Sequence, residues 1–420
     1  MALPLCFSTP ATRHAVLNGS WPYAHSSSTA PQPYYNLSCP FEWSKYSCVH
    51  QGASHASLAA RVRFRALDCA LADSVDGAML SRLLHKRRLV FIGDSLLRQV
   101  YISLGCLAGA GIRTHETEWA PCERPWPCHE THACVQCGEH SGFLRSRMLL
   151  HNGGKVVFMD ALSVLEPSPP PVPASSSDER GGVDHRGIDV DDQDWSTLSM
   201  SDVVVMQAGI HGQAHTTFRT ATTIWRAVQS AALHSDDDAA SNRSARRRRG
   251  HDLPTLIYVT TPQEHFASSA AAADDDSVGV GDGAYDPARL AAAQARAGGG
   301  SVLGCAPRVR PTRAEAEWQY LRQLRFASRS MLDALHGVVS LEGLEALGNL
   351  KIGSGAGAHG DCAHFCMPGV PDVLALAVYT MLLSLPRVLT AGEAPLDSSP
   401  RLLPGWPARG KVAHDMGEDL

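Results

Sequence analysis

Residues 89–99 read LVFIGDSLLRQ, and the fold class follows from the way this run changes character at its middle. Arg87-Arg88 lead into Leu89-Val90-Phe91-Ile92, an apolar and β-branched stretch expected of a strand buried on both faces of a parallel sheet. Gly93 permits a sharp turn. Ser95 then falls in the first turn of a helix, where unpaired backbone N–H groups favour an anion. Leu96, Val100, Leu104 and Leu107 recur at spacings of three and four, which predicts one apolar stripe laid against the sheet. Gly93-Asp94-Ser95 by itself admits two readings. It is a turn with an N-capping serine, or it presents a nucleophile, which needs a base to take its proton and donors to receive the oxyanion.

Composition narrows the class. The chain has 420 residues and a net charge of −5, enough length for a large core and no footprint for nucleic acid. Its one dense basic run, Arg246 to Arg249, follows the acidic Ser235-Asp236-Asp237-Asp238 and reads as a solvated insertion. No window reaches the ~20 consecutive apolar residues of a membrane span. The start, Met1 to Phe7, lacks a basic region and a long apolar stretch, so it does not read as a signal peptide. Twelve cysteines suit an oxidising compartment, as do the Asn-x-Ser sequons at Asn18, Asn36 and Asn242. They gather at Cys39, Cys48, Cys69 and Cys106, at Cys122, Cys128, Cys134 and Cys137, and at Cys305, Cys362 and Cys366, with Cys6 apart. Between Cys122 and His140 disulfides compete with a zinc site, because His129, His132 and His140 lie among those cysteines.

Five apolar runs are expected to be strands: Leu89 to Ile92, Lys155 to Met159, Asp202 to Gln207, Thr255 to Thr260 and Val338 to Leu341. Helical spacing joins Phe218 through Ala232 and Trp318 through Leu335, the latter after a Thr312-x-x-Glu315 capping box. Strands alternating with helices predict an α/β domain with a mainly parallel sheet covered on both sides. Residues 167–195, 235–252 and 267–304 carry too little apolar surface to offset their ordering entropy, and are expected to be insertions. The expected organisation is an N-terminal extension over 1–34, a catalytic domain over 35–388 with a cysteine-rich lobe over 35–80, and a disordered tail over 389–420.

In such a sheet the partner of a serine nucleophile belongs in a loop after a late strand. Asp361-Cys362-Ala363-His364-Phe365-Cys366-Met367-Pro368-Gly369-Val370-Pro371-Asp372 occupies that place. Asp361 and His364, three residues apart, can set a carboxylate against imidazole Nδ1–H while Nε2 faces outward. Cys362 and Cys366 could pin that turn, and an apolar helix is expected over Val373 to Leu385. The alternative is a capped surface turn.

These two motifs together resemble the plant trichome birefringence-like proteins and their relatives, the PC-esterase group of the GDSL/SGNH superfamily, which includes animal sialic-acid O-acetyltransferases. The resemblance rests on Leu89 through Arg98, on Asp361 through Asp372, on Cys39, Cys48 and Cys69, and on Thr260-Thr261-Pro262-Gln263-Glu264-His265-Phe266. It implies an SGNH-like three-layer α/β/α fold with Ser95 as nucleophile, His364 as base and Asp361 as its orienter. It also implies an oxyanion hole from the backbone of Ser95 with Gln207 and Gly209, where the family has Asn-x-Gly. Arg98 and His265 become substrate-binding candidates, and His211 a structural or substrate-facing one. Asn-Gly-Arg and Trp-Arg-Trp signatures of the family are replaced by His50-Gln51-Gly52 and Arg63-Phe64-Arg65. The implied activity is O-acetyl transfer to a polysaccharide or glycan in the secretory pathway, in the Golgi lumen, with no metal or other cofactor beyond an acetyl donor. The alternatives are an acetylesterase using the same triad, a dormant glycan-binding protein, and a zinc-dependent protein.

Overall fold

Alternate residues of the strand at 88–93 enter two different cores: Leu89 and Phe91 join one, Val90 and Ile92 the other. A strand buried in this way lies inside a sheet that is covered twice. The computed structural model describes residues 3–22, 39, 46, 63–85, 87–119, 143–160, 198, 201–207, 222–226, 228–229, 253–262, 265–269, 303–307, 327–344, 347, 350–351 and 364–385. In chain order the elements are α1 (Pro10–Arg13), β1 (Gly19–Ser20), β2 (Arg65–Ala66), α2 (Gly77–Leu83), β3 (Arg88–Gly93), α3 (Ser95–Ala108), β4 (Ile112–Trp119), β5 (Phe143–Leu150), β6 (Lys155–Asp160), β7 (Val203–Met206), β8 (Thr255–Val259), β9 (His265–Ser269), β10 (Leu303–Pro307), α4 (Arg329–Ala334), β11 (Leu335–Val339) and α5 (Val370–Leu383). Residues 222–226 and 228–229 are also helical.

A seven-stranded sheet has the order β11-β8-β7-β3-β6-β5-β4. From β11 to β6 every pairing is parallel, and β5 and β4 extend the sheet antiparallel. The chain is therefore α/β with a mainly parallel sheet, as the alternation of runs predicted. The antiparallel pair was not foreseen, because Arg113, Glu116, Arg145 and Arg147 break the apolar runs by which strands were recognised. Helical spacing also carried the expected helix through Leu335, yet α4 stops at Ala334 and Leu335 opposes Leu256 of β8. Pairing with an existing parallel edge outweighs local periodicity there. The ends of the expected 267–304 insertion are strand: β9 and β10 pair antiparallel, Leu303 opposite Ser269. The other two expected insertions, the Cys122–His140 region with its zinc and disulfide alternatives, and the tail over 389–420 lie outside the described residues.

On one face of the sheet α2, α3 and α5 pack with the N-terminal segment; on the other lie Ile224, Trp225 and Val228 with Met331 of α4. Helix α3 departs from the expected single stripe. Arg98, Gln99, Tyr101 and Ser103 are buried along with its leucines, since the helix is enclosed between the sheet and α5. The N-terminus is not apart from this core. Cys6, Phe7 and Leu17 are buried in it, and Leu5 and Leu17 form isolated bridges with Ala70 and Leu341. Cys6, which the spacing left ungrouped, is bonded to Cys69, and Cys39 to Cys106 at the end of α3. Among the described residues no helix is long and apolar enough to cross a membrane.

At the amino ends of β3 and β7, Asp202 takes three bonds from Arg88: 3.0 Å from its backbone N, 3.1 Å from Nε and 2.6 Å from Nη2. Their side chains are 15% and 3% exposed, so losing one partner strands a nearly buried charge. Asp202→Ala is expected to lower stability by about 3 kcal/mol, read as a lower urea midpoint at unchanged slope. A second prediction concerns acid. Burial, then the charges of Arg13 and His14, lowers the pKa of His336 to about 4, and its Nε2 lies 3.1 Å from Ser384 Oγ. The unfolded chain binds that proton at about pH 6.5, so the contribution is present above 6.5 and lost as pH falls toward 4. In His336→Asn, unfolding free energy measured from pH 7 to 4 should fall less steeply than in the parent.

Candidate active site

The strand-to-helix turn assigns its cap to the aspartate. Asp94 has extended backbone, and its Oδ1 accepts from Leu96 N at 3.0 Å, which fills the role that the turn reading gave to serine. Ser95 is the first helical residue. Its Oγ is buried and makes no hydrogen bond among the described residues. Gly93 allows this closeness: a Cβ there would stand 2.8 Å from Leu97 Cδ2 and 2.9 Å from Leu97 Cβ. The hydroxyl thus sits at the positive end of α3, beyond the carboxyl end of a central parallel strand.

His364 is 7% exposed and opens the segment that leads into α5. Several elements hold that segment. Phe365 forms an antiparallel bridge with Lys351, Cys366 N donates to Leu350 O at 2.8 Å and Met367 N to Tyr46 O at 2.9 Å. The Tyr46 ring lies 4.9 Å from that of His364, tilted by 41°. Lys351 Nζ stands 3.4 Å over the Phe365 ring. Cys366 is disulfide-bonded. Asp372 Oδ2 accepts from Gly369 N and closes the start of α5. The connection to α3 is made by Gln99. Its Nε2 donates to Phe365 O at 2.7 Å, and Phe365 N donates to its Oε1 at 3.3 Å. Gln99 follows Ser95 by four residues, about 6 Å along the same helix face. The segment that begins with His364 is therefore fastened to the helix that begins with Ser95.

Gln207, just past β7, is fully buried, and its backbone N donates to Ile92 O at 3.1 Å. Its side-chain Nε2 donates to Thr260 O at 3.3 Å, past the end of β8, while Oε1 is buried without a hydrogen bond among the described residues. One of the two hydrogens on that nitrogen is therefore engaged in joining strand ends. Arg98 is 6% exposed and lies with its guanidinium 5.5 Å from the Phe158 ring centroid, a cation–π arrangement inside the domain. His265 starts β9, but its side chain is not described. Asp361, Gly209 and His211 lie outside the described residues, as does Cys362.

Sequence reasoning missed Gln99, Tyr46 and Lys351. Gln99 had a legible signal, an amide inside the apolar run Leu96 to Leu104 at the one-turn spacing from Ser95. Tyr46 and Lys351 had none, because their partners are hundreds of residues or a loop away.

No known family profile matches the chain. Over 96 residues it is 34% identical to a protein described as probable xylan O-acetyltransferase 11, from Oryza sativa subsp. japonica, a similarity covering 21% of this chain and 24% of that protein. The chain thus matches about a quarter of the relative's length.

The contact at Gly93 yields a prediction. Gly93→Ala must move Leu97 or the turn, at about 1–3 kcal/mol. A lower melting temperature is expected, together with slower labelling of Ser95 by a serine-reactive probe.

Proposed function

We propose that this protein is an O-acetyltransferase that moves an acetyl group to a hydroxyl of a polysaccharide or glycan through an acyl-enzyme on Ser95. The observation that carries the reading is the fastening of the His364 segment to the helix that starts with Ser95. The partial similarity to a xylan O-acetyltransferase supports the reaction class. In this reading the fold is SGNH-like and Asp361 orients His364.

The reaction proceeds in two halves. His364 takes the hydroxyl proton as Ser95 Oγ attacks the carbonyl carbon of an acetyl ester or thioester. The tetrahedral oxyanion is received by backbone N–H groups at the start of α3 and by the strand-end loop carrying Gln207 and Gly209. Collapse expels the donor's alcohol or thiol, which takes the proton from His364, and leaves acetyl on Ser95. A sugar hydroxyl then gives its proton to His364, attacks the acyl-enzyme and restores the serine. Water in place of the sugar makes the same site an acetylesterase. Arg98 and His265 are assigned to substrate binding, and no metal or redox cofactor is needed. Disulfides at Cys6–Cys69 and Cys39–Cys106 support a secretory compartment, proposed as the Golgi lumen.

One observation favours a second reading. Gln207 donates to Thr260 O, which weakens the oxyanion hole and suits a glycan-binding protein with a dormant pocket. Intact mass after exposure to an acetyl donor decides between them. An acetyl adduct on the wild type and none on Ser95→Ala, with acetylated glycan formed on adding acceptor, is the expected result. Turnover should drop on the order of 10⁴-fold or more in Ser95→Ala and His364→Ala. Glycan binding without any adduct would establish the dormant reading, and free acetate without acetylated sugar the esterase.

A further inference from the structure

We propose that Gln99 is a positioning residue for the base: its amide fixes Phe365 against α3 and so sets where the His364 imidazole stands relative to Ser95. The inference rests on the serine acyl-enzyme reading above and assigns a role to a residue outside the triad.

Gln99 is 1% exposed on a helix enclosed by apolar neighbours, and an amide buried there is costly unless its donor and acceptor are both engaged. Both are, and by one residue: Nε2 donates to Phe365 O and Oε1 accepts from Phe365 N. Fixing Phe365 N and O constrains the peptide plane that joins Phe365 to His364 and so places His364 Cα, which leaves the imidazole one backbone torsion and its own side-chain torsions. The Tyr46 ring at 4.9 Å restricts those torsions from the side. Phe365 is held in turn by the Lys351 bridge and by the ammonium over its ring. The consequence for catalysis is geometric. Nucleophile and anchor of the base share one helix, a turn apart, so their separation does not depend on how the sheet or the long loops move.

The test compares wild type, Gln99→Leu, Gln99→Glu and Asp202→Asn, the last a destabilised control at the opposite end of the sheet. Folding is followed by thermal melts, the 364–367 segment by amide hydrogen exchange, Ser95 by the rate of labelling with a fluorophosphonate, and turnover by acetyl transfer. Gln99→Leu is expected to lose exchange protection at 365–367, and to label and turn over roughly 10- to 100-fold more slowly, with acceptor KM changed by less than about threefold. Gln99→Glu supplies the same donor and acceptor pattern only when protonated, so its activity relative to wild type should climb as pH falls from about 8 to 5. A role confined to packing produces no such climb. Folded Gln99→Leu that labels as fast as wild type or Asp202→Asn overturns the proposal, and so does a pH-independent ratio for Gln99→Glu, which carries the test if Gln99→Leu does not fold. A wild type that resists labelling overturns the serine reading itself, a different outcome from wild type and Gln99→Leu labelling alike.

Discussion

A strand buried on both faces has nowhere to place a polar group except at its ends, and that constraint organises the molecule. Leu89, Val90, Phe91 and Ile92 feed two separate cores, and β7 and β8 do the same with Val203 to Met206 and Leu256 to Val259. At the amino ends the polar demand is met by Arg88 with Asp202. At the carboxyl ends it is met by Asp94 capping α3, by Gln207 on Thr260, and by Thr260 Oγ1 on Ser340 at 3.2 Å. Polar groups collect at the strand ends, along the carboxyl rim as well as at the Arg88–Asp202 end, because the interior of the sheet excludes them.

That rim is built from remote parts of the chain, and the closures that assemble it are entropically expensive. Cys6–Cys69 and Cys39–Cys106 close loops with sequence separations of 63 and 67, each contributing about 4 kcal/mol in the chain-entropy account. The second holds the N-terminal region to the far end of α3, whose near end carries Ser95. Tyr46, seven residues beyond Cys39, reaches the ring of His364. Tyr46 is thus part of the wall of the candidate site. The first disulfide ties the start of the chain to Cys69, and the Leu17 bridge to Leu341 ties it to the turn after the last strand.

Legibility in the sequence followed the strength of local signals. The parallel strands β3, β6, β7 and β8 were visible as apolar runs, since burial leaves few polar residues to interrupt them, whereas the run at Val338 to Leu341 met only the end of β11, which carries His336. Helix α5 was visible for the same reason, although it begins at Val370 rather than Val373, because Pro371 and Asp372 are favoured in a first turn. Strands β4 and β5 were not, because Arg113, Glu116, Arg145 and Arg147 interrupt the apolar pattern by which a strand is recognised. Nor was the boundary between α4 and β11, where Met331 and Leu335 keep helical spacing across a change of element.

What the sequence determined by itself is therefore local: a double-buried strand, a glycine turn, an acid and a serine at a helix start, and an Asp-x-x-His motif ahead of an apolar helix. Only the tertiary structure decided which of these meet. It gave the capping role to Asp94 and left Ser95 Oγ without a hydrogen bond among the described residues, and it chose Gln99 to bind a residue 266 positions later. The physical reason is range. Propensity and periodicity act over one or two turns, whereas a buried amide finds its partner only after two elements have packed, and nothing in either segment alone names the other.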